Sequence, residues 1–172
     1  DGQKITDLLV EEVLSAQKEV HVAVRVDGEA GAPLVMAGLE RWSEPDEVAL
    51  GSAQVASSHA DPFHGLKSHE ARRMAKTLGF TGDAAVKLAD QVHRLYKAYA
   101  AWNALGAGFN PLVMTPEGNF FAAGAFLEMD DSALFRFPQF RDLSLSRILD
   151  PLAREGKTIG VTYVGLEGNI GV

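Results

Sequence analysis

The 172-residue chain, 47% hydrophobic and 23% charged, has the length and make-up of one globular domain or one large lobe of a bigger enzyme. Its net charge of −7, with no basic block, argues against nucleic acid or an anionic membrane surface as the main partner, because both require clustered Lys and Arg. The absence of cysteine excludes a disulfide framework, a thiolate nucleophile and a Cys-based metal site, and agrees with a cytoplasmic address; no run of about 18 apolar residues is present to span a membrane.

Leu8 to Leu14 and Val20 to Asp27 read as strands. In the second, His21-Val22-Ala23-Val24-Arg25-Val26 alternates with period two and puts Val22, Val24 and Val26 on one face. Asp27-Gly28-Glu29-Ala30-Gly31 is the turn, and Pro33 to Leu39 the returning strand, completing a predicted three-stranded antiparallel meander. From Glu40 to Lys67 the pattern weakens, which predicts a surface connection with a short helix near Asp46 to Leu50. Ser68 can cap a helix ending at Leu78 before Gly79. Asp83 to about Trp102 is the longest predicted helix, with Leu88, Val92, Leu95, Tyr96, Tyr99 and Trp102 forming one apolar stripe. Gly106 to Met114 and Asn119 to Leu127 predict a hairpin turned by Thr115-Pro116-Glu117-Gly118. A helix over Asp142 to Glu155 and a short strand over Val161 to Leu166 follow. An antiparallel sheet with helices packed on one side, an α+β layer, is the economical arrangement.

Few residues point to chemistry by themselves. An antiparallel hairpin would bring the segments around Asn110 and Gly124 together. By itself Asn110 reads as an amide that fixes the turn before Pro111. Asp130 and Asp131 could bind a cation or could cap and orient the loop. His59, His64 and His69 match no helical zinc pair and read as loop histidines. No residue stands out as catalytic.

Several words together resemble a known family. Asn110-Pro111-Leu112-Val113, the following hairpin, Asp130-Asp131-Ser132-Ala133-Leu134-Phe135-Arg136 and Gly168-Asn169-Ile170-Gly171 resemble the β subunit of ADP-forming succinate–CoA ligases. The similarity runs from Leu8 to Gly171 and implies that residues 1–172 are an ATP-grasp lobe. A first lobe with a phosphate-binding Lys is then expected before Asp1, and a C-terminal ligase domain after Val172. The opening on Asp1, without a basic-then-apolar leader, fits that expectation. The resemblance implies ATP and magnesium as cofactors and, as partner, an α subunit whose phosphorylated histidine activates a carboxylate for attack by CoA.

Carried onto this chain, the family's acidic hinge residues beside adenosine fall at Glu11 and Glu19; both could equally be solvated strand-edge acids. Its magnesium-binding Asn falls at Asn110. Its companion Asp is Gly124, its nearby Lys is Phe126, and the Glu of the phosphohistidine step is Gly108. Glu40-Arg41-Trp42 stands where the family carries Glu-Gly-Gly, and Asp61-Pro62-Phe63-His64-Gly65 resembles a structural connection. The resemblance implies a nucleotide-binding lobe with a partly degenerate metal and phosphate site, or a non-catalytic module kept for assembly, regulation or another ligand. On this basis Gly124→Asp is expected to rebuild a magnesium site beside Asn110.

Overall fold

The computed structural model describes residues 8–42 and 54–166. Their contacts fall into two compact units, Asp1–Glu128 and Met129–Val172. The first contains β1 (Lys18–Asp27), β2 (Ala32–Gly38), β3 (Val55–His59), α1 (Ser68–Thr77), α2 (Gly82–Ala101), β4 (Ala104–Met114), β5 (Phe120–Ala122) and most of β6 (Ala125–Met129). The sheet is antiparallel, in the order β3-β2-β1-β4-β5, with β6 also paired to β4.

β1 is the centre of this unit, and its alternation organises both faces. Val20, Val22 and Val24 enter the main core with Val35 and Ala37 of β2, Ala107 and Leu112 of β4, and the stripe Leu88, Val92, Leu95, Tyr96 and Tyr99 of α2. Helices therefore cover the valine face, as the α+β expectation requires. Val26 leaves the pattern and is half exposed, because it lies at the end of the strand. The opposite face carries Ala23, Leu34 and Met36 in a smaller cluster against Trp42.

The predicted meander is corrected. Residues 8–16 form no strand, and Leu8, Leu9, Val10 and Val13 are exposed. Both edges of β1 are taken, by β2 and β4, and the outer edge of β2 is taken by Val55–His59, so a strand at Leu8 to Leu14 has no place beside them. Val55–His59 lay inside the expected surface connection. Its only pattern is the burial of Ala56 and Ser58 on alternate residues, too small a signal to read. The helix expected near Asp46 to Leu50 lies outside the described residues.

α1 is capped one residue earlier than expected: Lys67 is the N-cap, its N–H bonded to the Glu70 carboxylate at 2.8 Å, and Ser68 is the first helical residue. Gly79 takes φ +79 after the helix, the left-handed terminator expected there. The connection before α1 is built by Asp61, whose side chain accepts N–H bonds from Phe63 and His64, both at 2.8 Å. Those two bonds hold the Asp61 carboxyl below its ordinary pKa, the His64 N–H contributing most. Gly65 closes the turn at φ +76 beneath the Tyr96 ring, where an added Cβ would lie 2.8 Å from the ring.

In the second unit Asp130 caps a 3-10 turn over Asp131–Arg136 by accepting from Ser132 N–H, the loop-capping role considered for it. The single helix expected over Asp142 to Glu155 is instead two, α3 (Pro138–Arg147) and α4 (Pro151–Thr158). Pro151 explains the break: the residue before proline avoids the helical region, and Asp150 is extended and caps α4 through Leu152 N–H. Residues 161–166 form no strand; Val161 folds back to bond Gly156 carbonyl at 2.8 Å. The Gly168 to Gly171 word lies outside the described residues. Among the described residues no helix is long and apolar enough to cross a membrane.

Leu88 is fully buried while Val86, on the same helix, is 49% exposed. Leu88→Ala is expected to lower unfolding free energy by about 2–5 kcal/mol, against under about 0.5 kcal/mol for Val86→Ala, in urea denaturation followed by far-UV circular dichroism.

Candidate functional site

The face of the sheet opposite α1 and α2 carries a cleft of about 420 Å³. Its floor is β1, where His21, Ala23 and Arg25 point away from the valine core. Trp42 stands on the β2 side and Phe126 on the β4 side, with Asn110 at one end and Gly106 and Glu128 at the other.

A bulge aims Asn110 at this floor. Val20 pairs with Leu112 and Val22 with Phe109, so β4 uses one more residue than β1 across that step, and Asn110-Pro111 is set against His21. Proline, which cannot donate to the ladder, is tolerated at such a point. His21 is 2% exposed, and its Nδ1 lies 2.7 Å from Asn110 Oδ1. Because the amide oxygen can only accept, Nδ1 carries the hydrogen. The Trp42 ring sits 6.1 Å from the imidazole, tilted at 50°.

The partner strand of the hairpin breaks opposite the bulge. Asn110 N–H bonds the Gly124 carbonyl at 2.8 Å, while Ala123 and Gly124 N–H both bond the Pro111 carbonyl. The expected approach of the Asn110 and Gly124 segments is therefore present, and it is made through the backbone. A Cβ on Gly124 would lie 2.2 Å from the Asn110 carbonyl oxygen. The expectation that Gly124→Asp rebuilds a magnesium site is thus corrected: the backbone contact leaves no room for the side chain. Gly108 is similarly constrained, because a Cβ there would lie 2.3 Å from the Phe126 ring and 2.8 Å from the Val22 carbonyl. Phe126 lies across Gly106 and Gly108, filling space that an acidic side chain at 108 would need.

Among the described residues, the donors around Asn110 do not fit magnesium. Asn110 offers one oxygen, already accepting from a buried N–H, and among the described residues no group of three His, Cys, Asp or Glu is placed to hold a metal ion. Withdrawing that oxygen would leave a buried donor unsatisfied, at a cost of about 1–3 kcal/mol. Glu11 lies in the irregular segment before β1, and Glu19 near the start of β1, paired with Val113; both are exposed. Neither lines the cleft. His59 bonds Asp27 at 2.8 Å across the β1–β2 turn and is the main reason that the Asp27 carboxyl titrates below its ordinary range. His64 contacts Asp61 within its own loop, so these two histidines act on turns. Asp131 takes an ion pair from Lys157.

Sequence reasoning missed His21, Arg25 and Glu128 as cleft residues. The one available signal was the second face of the β1 alternation, where two polar residues flank Ala23.

The ATP-grasp domain family matches residues 1–114. The chain belongs to this family. The ATP-grasp chain is 33% identical over 172 residues to the β subunit of the ADP-forming succinate–CoA ligase of Chlorobaculum tepidum, covering 99% of itself and 44% of that subunit. It is 35% identical to β subunit 1 of the ADP-forming succinate–CoA ligase of Archaeoglobus fulgidus, over 99% of itself and 45% of the relative. The mitochondrial β subunit of the GDP-forming ligase of Columba livia is 30% identical, with 99% and 44% covered. The chain thus spans less than half the length of the curated relatives it matches. Among solved structures, ATP citrate lyase of Methanothrix soehngenii in complex with citrate and coenzyme A superposes with a TM-score of 0.53 at 15% identity, over 82% of this chain and 30% of that one, a likeness of fold.

If Gly108 and Phe126 exclude one another as described, Gly108→Ala destabilises by about 1–3 kcal/mol in the wild-type background. The penalty is expected to shrink, without vanishing, in a Phe126→Ala background, since the Val22 carbonyl remains. Urea midpoints of the two single variants and the double variant measure the coupling; strict additivity would show that the ring does not occupy that space.

Proposed function

We propose that this ATP-grasp chain is the nucleotide-binding lobe of a succinate–CoA ligase β-like subunit whose metal and phosphate end is degenerate. The observation that carries the reading is the joint occupation of that end: Asn110 Oδ1 engaged by His21, Phe126 lying across Gly108, and Gly124 pressed against the Asn110 carbonyl. Glu11 and Glu19 are the proposed adenosine-side residues, on the strength of the family resemblance and their exposure. In the parent reaction ATP, a carboxylate and CoA give acyl-CoA, ADP and phosphate through a phosphohistidine on an α-type subunit. That subunit is the proposed partner, and the cytoplasm the proposed address. The chain's own residues take no step of the parent reaction in this reading, because Gly108, Gly124 and Phe126 stand where the resemblance implies two acids and a lysine, and Asn110 is engaged by His21.

A second reading is favoured by the same packing. Glycines locked by neighbouring backbone, and an aromatic ring in place of a lysine, are what a non-catalytic module retained for assembly, regulation or another ligand would show. Calorimetry with ATP, with and without magnesium and an α-type subunit, separates the readings: saturable ATP binding supports the nucleotide-binding lobe, and no binding up to millimolar ATP supports the module kept for another purpose. The degenerate site predicts dissociation constants weaker than micromolar for ATP, a binding free energy less favourable than about −8 kcal/mol, with no dependence on magnesium and no phosphohistidine. Magnesium-dependent micromolar binding with phosphorylation of the α-type subunit would contradict it.

A further inference from the structure

We propose that Asp27-Gly28, in the turn between β1 and β2, is a latent isoaspartate site, kept closed by the hydrogen bonds of its own carboxylate and by the one from His59 in particular.

The chemistry is that of the residue pair. The backbone nitrogen of Gly28 attacks Cγ of Asp27 and loses its hydrogen, a carboxyl oxygen leaves as water, and a succinimide ring remains. Water then adds at the former main-chain carbonyl of Asp27, and the bond from that carbon to the nitrogen breaks. Gly28 is left joined to Cγ, and the former main-chain carbonyl becomes a carboxylate on Cα. One water leaves and one returns, so the product is an isomer of the starting chain. Glycine hinders such an attack least, because it has no side chain. Among the described residues, Asp27-Gly28 is the one place where glycine follows Asp or Asn.

Position does nothing to prevent the reaction. Gly28, Glu29 and Ala30 are exposed turn residues, and a Cβ on Gly28 would meet nothing within 4 Å. What opposes it is the set of partners around the carboxylate. Oδ1 accepts from the N–H groups of Glu29 at 3.0 Å and Ala30 at 3.1 Å, and Oδ2 accepts from His59 Nε2 at 2.8 Å. β1 and β3 both pair with β2, so the His59 bond crosses that strand and ties the turn to β3. Ring closure swings Cγ toward the Gly28 nitrogen and expels an oxygen as water. It therefore gives up bonds made to an ionised carboxylate, which are stronger than neutral ones. The same bonds hold the Asp27 carboxyl below its ordinary pKa, His59 being the largest cause, so the protonated form that loses water is scarce at neutral pH.

The product would undo this clasp. Isomerisation inserts a methylene into the main chain beside the last β1–β2 pair, Asp27 with Ala32, and moves the carboxylate away from the place where His59, Glu29 and Ala30 hold it.

Trypsin cuts after Arg25 and Arg41, so residues 26–41 report the site. The folded protein and a synthetic peptide of that stretch are incubated side by side at neutral pH, and isoaspartate at position 27 is counted by electron-transfer mass spectrometry. The folded chain is expected to isomerise slower than the peptide by about tenfold or more. His59→Ala, at a half-exposed position, is expected to raise the rate in the folded chain about fivefold, the factor that losing one hydrogen bond gives. His59→Gln, whose side-chain amide can donate to the same oxygen, is expected to stay close to wild type. Equal rates in protein and peptide would overturn the proposal, as would a His59→Ala rate equal to wild type or a His59→Gln rate as fast as that of His59→Ala. The comparison of wild-type protein with peptide needs no variant, so it decides the matter even if His59→Ala loses β3.

Discussion

The pleat of β1 is the constraint on which the rest of the first unit depends. Six consecutive residues, Val20 to Arg25, send alternate side chains to opposite faces, and both faces are used. The valines seat α1 and α2 and supply the burial that holds the lobe together; each fully buried valine contributes about 1.5–3 kcal/mol. The residues between them, His21, Ala23 and Arg25, are thereby committed to the other side. A one-residue slip of β1 would place an imidazole and a guanidinium in the helix core and the valines in the cleft, so the packing that stabilises the lobe also fixes the floor of the site.

On that floor, neighbouring residues constrain one another. Phe126 can lie across β4 only because residue 108 has no side chain, and residue 124 can approach the bulge only because it also has none. The amide of Asn110 bonds the neighbouring imidazole. A buried polar group needs a partner, and the network that satisfies His21 does so by engaging an oxygen otherwise suited to a metal.

Much of this was legible in the residues. The β1 alternation, the α2 stripe, the hairpin around Thr115 to Gly118 and the Asp130 cap are local patterns, each set by residues close in sequence. The failures have physical causes of their own. Leu8 to Leu14 has the composition of a strand, but a strand needs an open edge, and the edges of β1 and β2 are filled by segments far along the chain. Val55 to His59 is a strand because it completes β2, with little apolar character to announce it. The Pro151 break was readable, because the residue before proline avoids the helical region, and the single helix expected over Asp142 to Glu155 ran through it. The His21–Asn110 pair joins residues 89 positions apart; nothing in either residue's neighbourhood announces the other, since the pair exists only through the β1–β4 register and its bulge.

The central claim is that the Asn110 amide serves His21 and does not hold a cation. Manganese, a paramagnetic stand-in for magnesium, tests it directly when titrated into 15N-labelled protein while side-chain amide and imidazole signals are followed. The account predicts a His21 Nδ1–H resonance protected from exchange, and no selective broadening of the Asn110 side-chain amide at substoichiometric manganese. Selective loss of the Asn110 and His21 signals, reversed by excess magnesium, would contradict it.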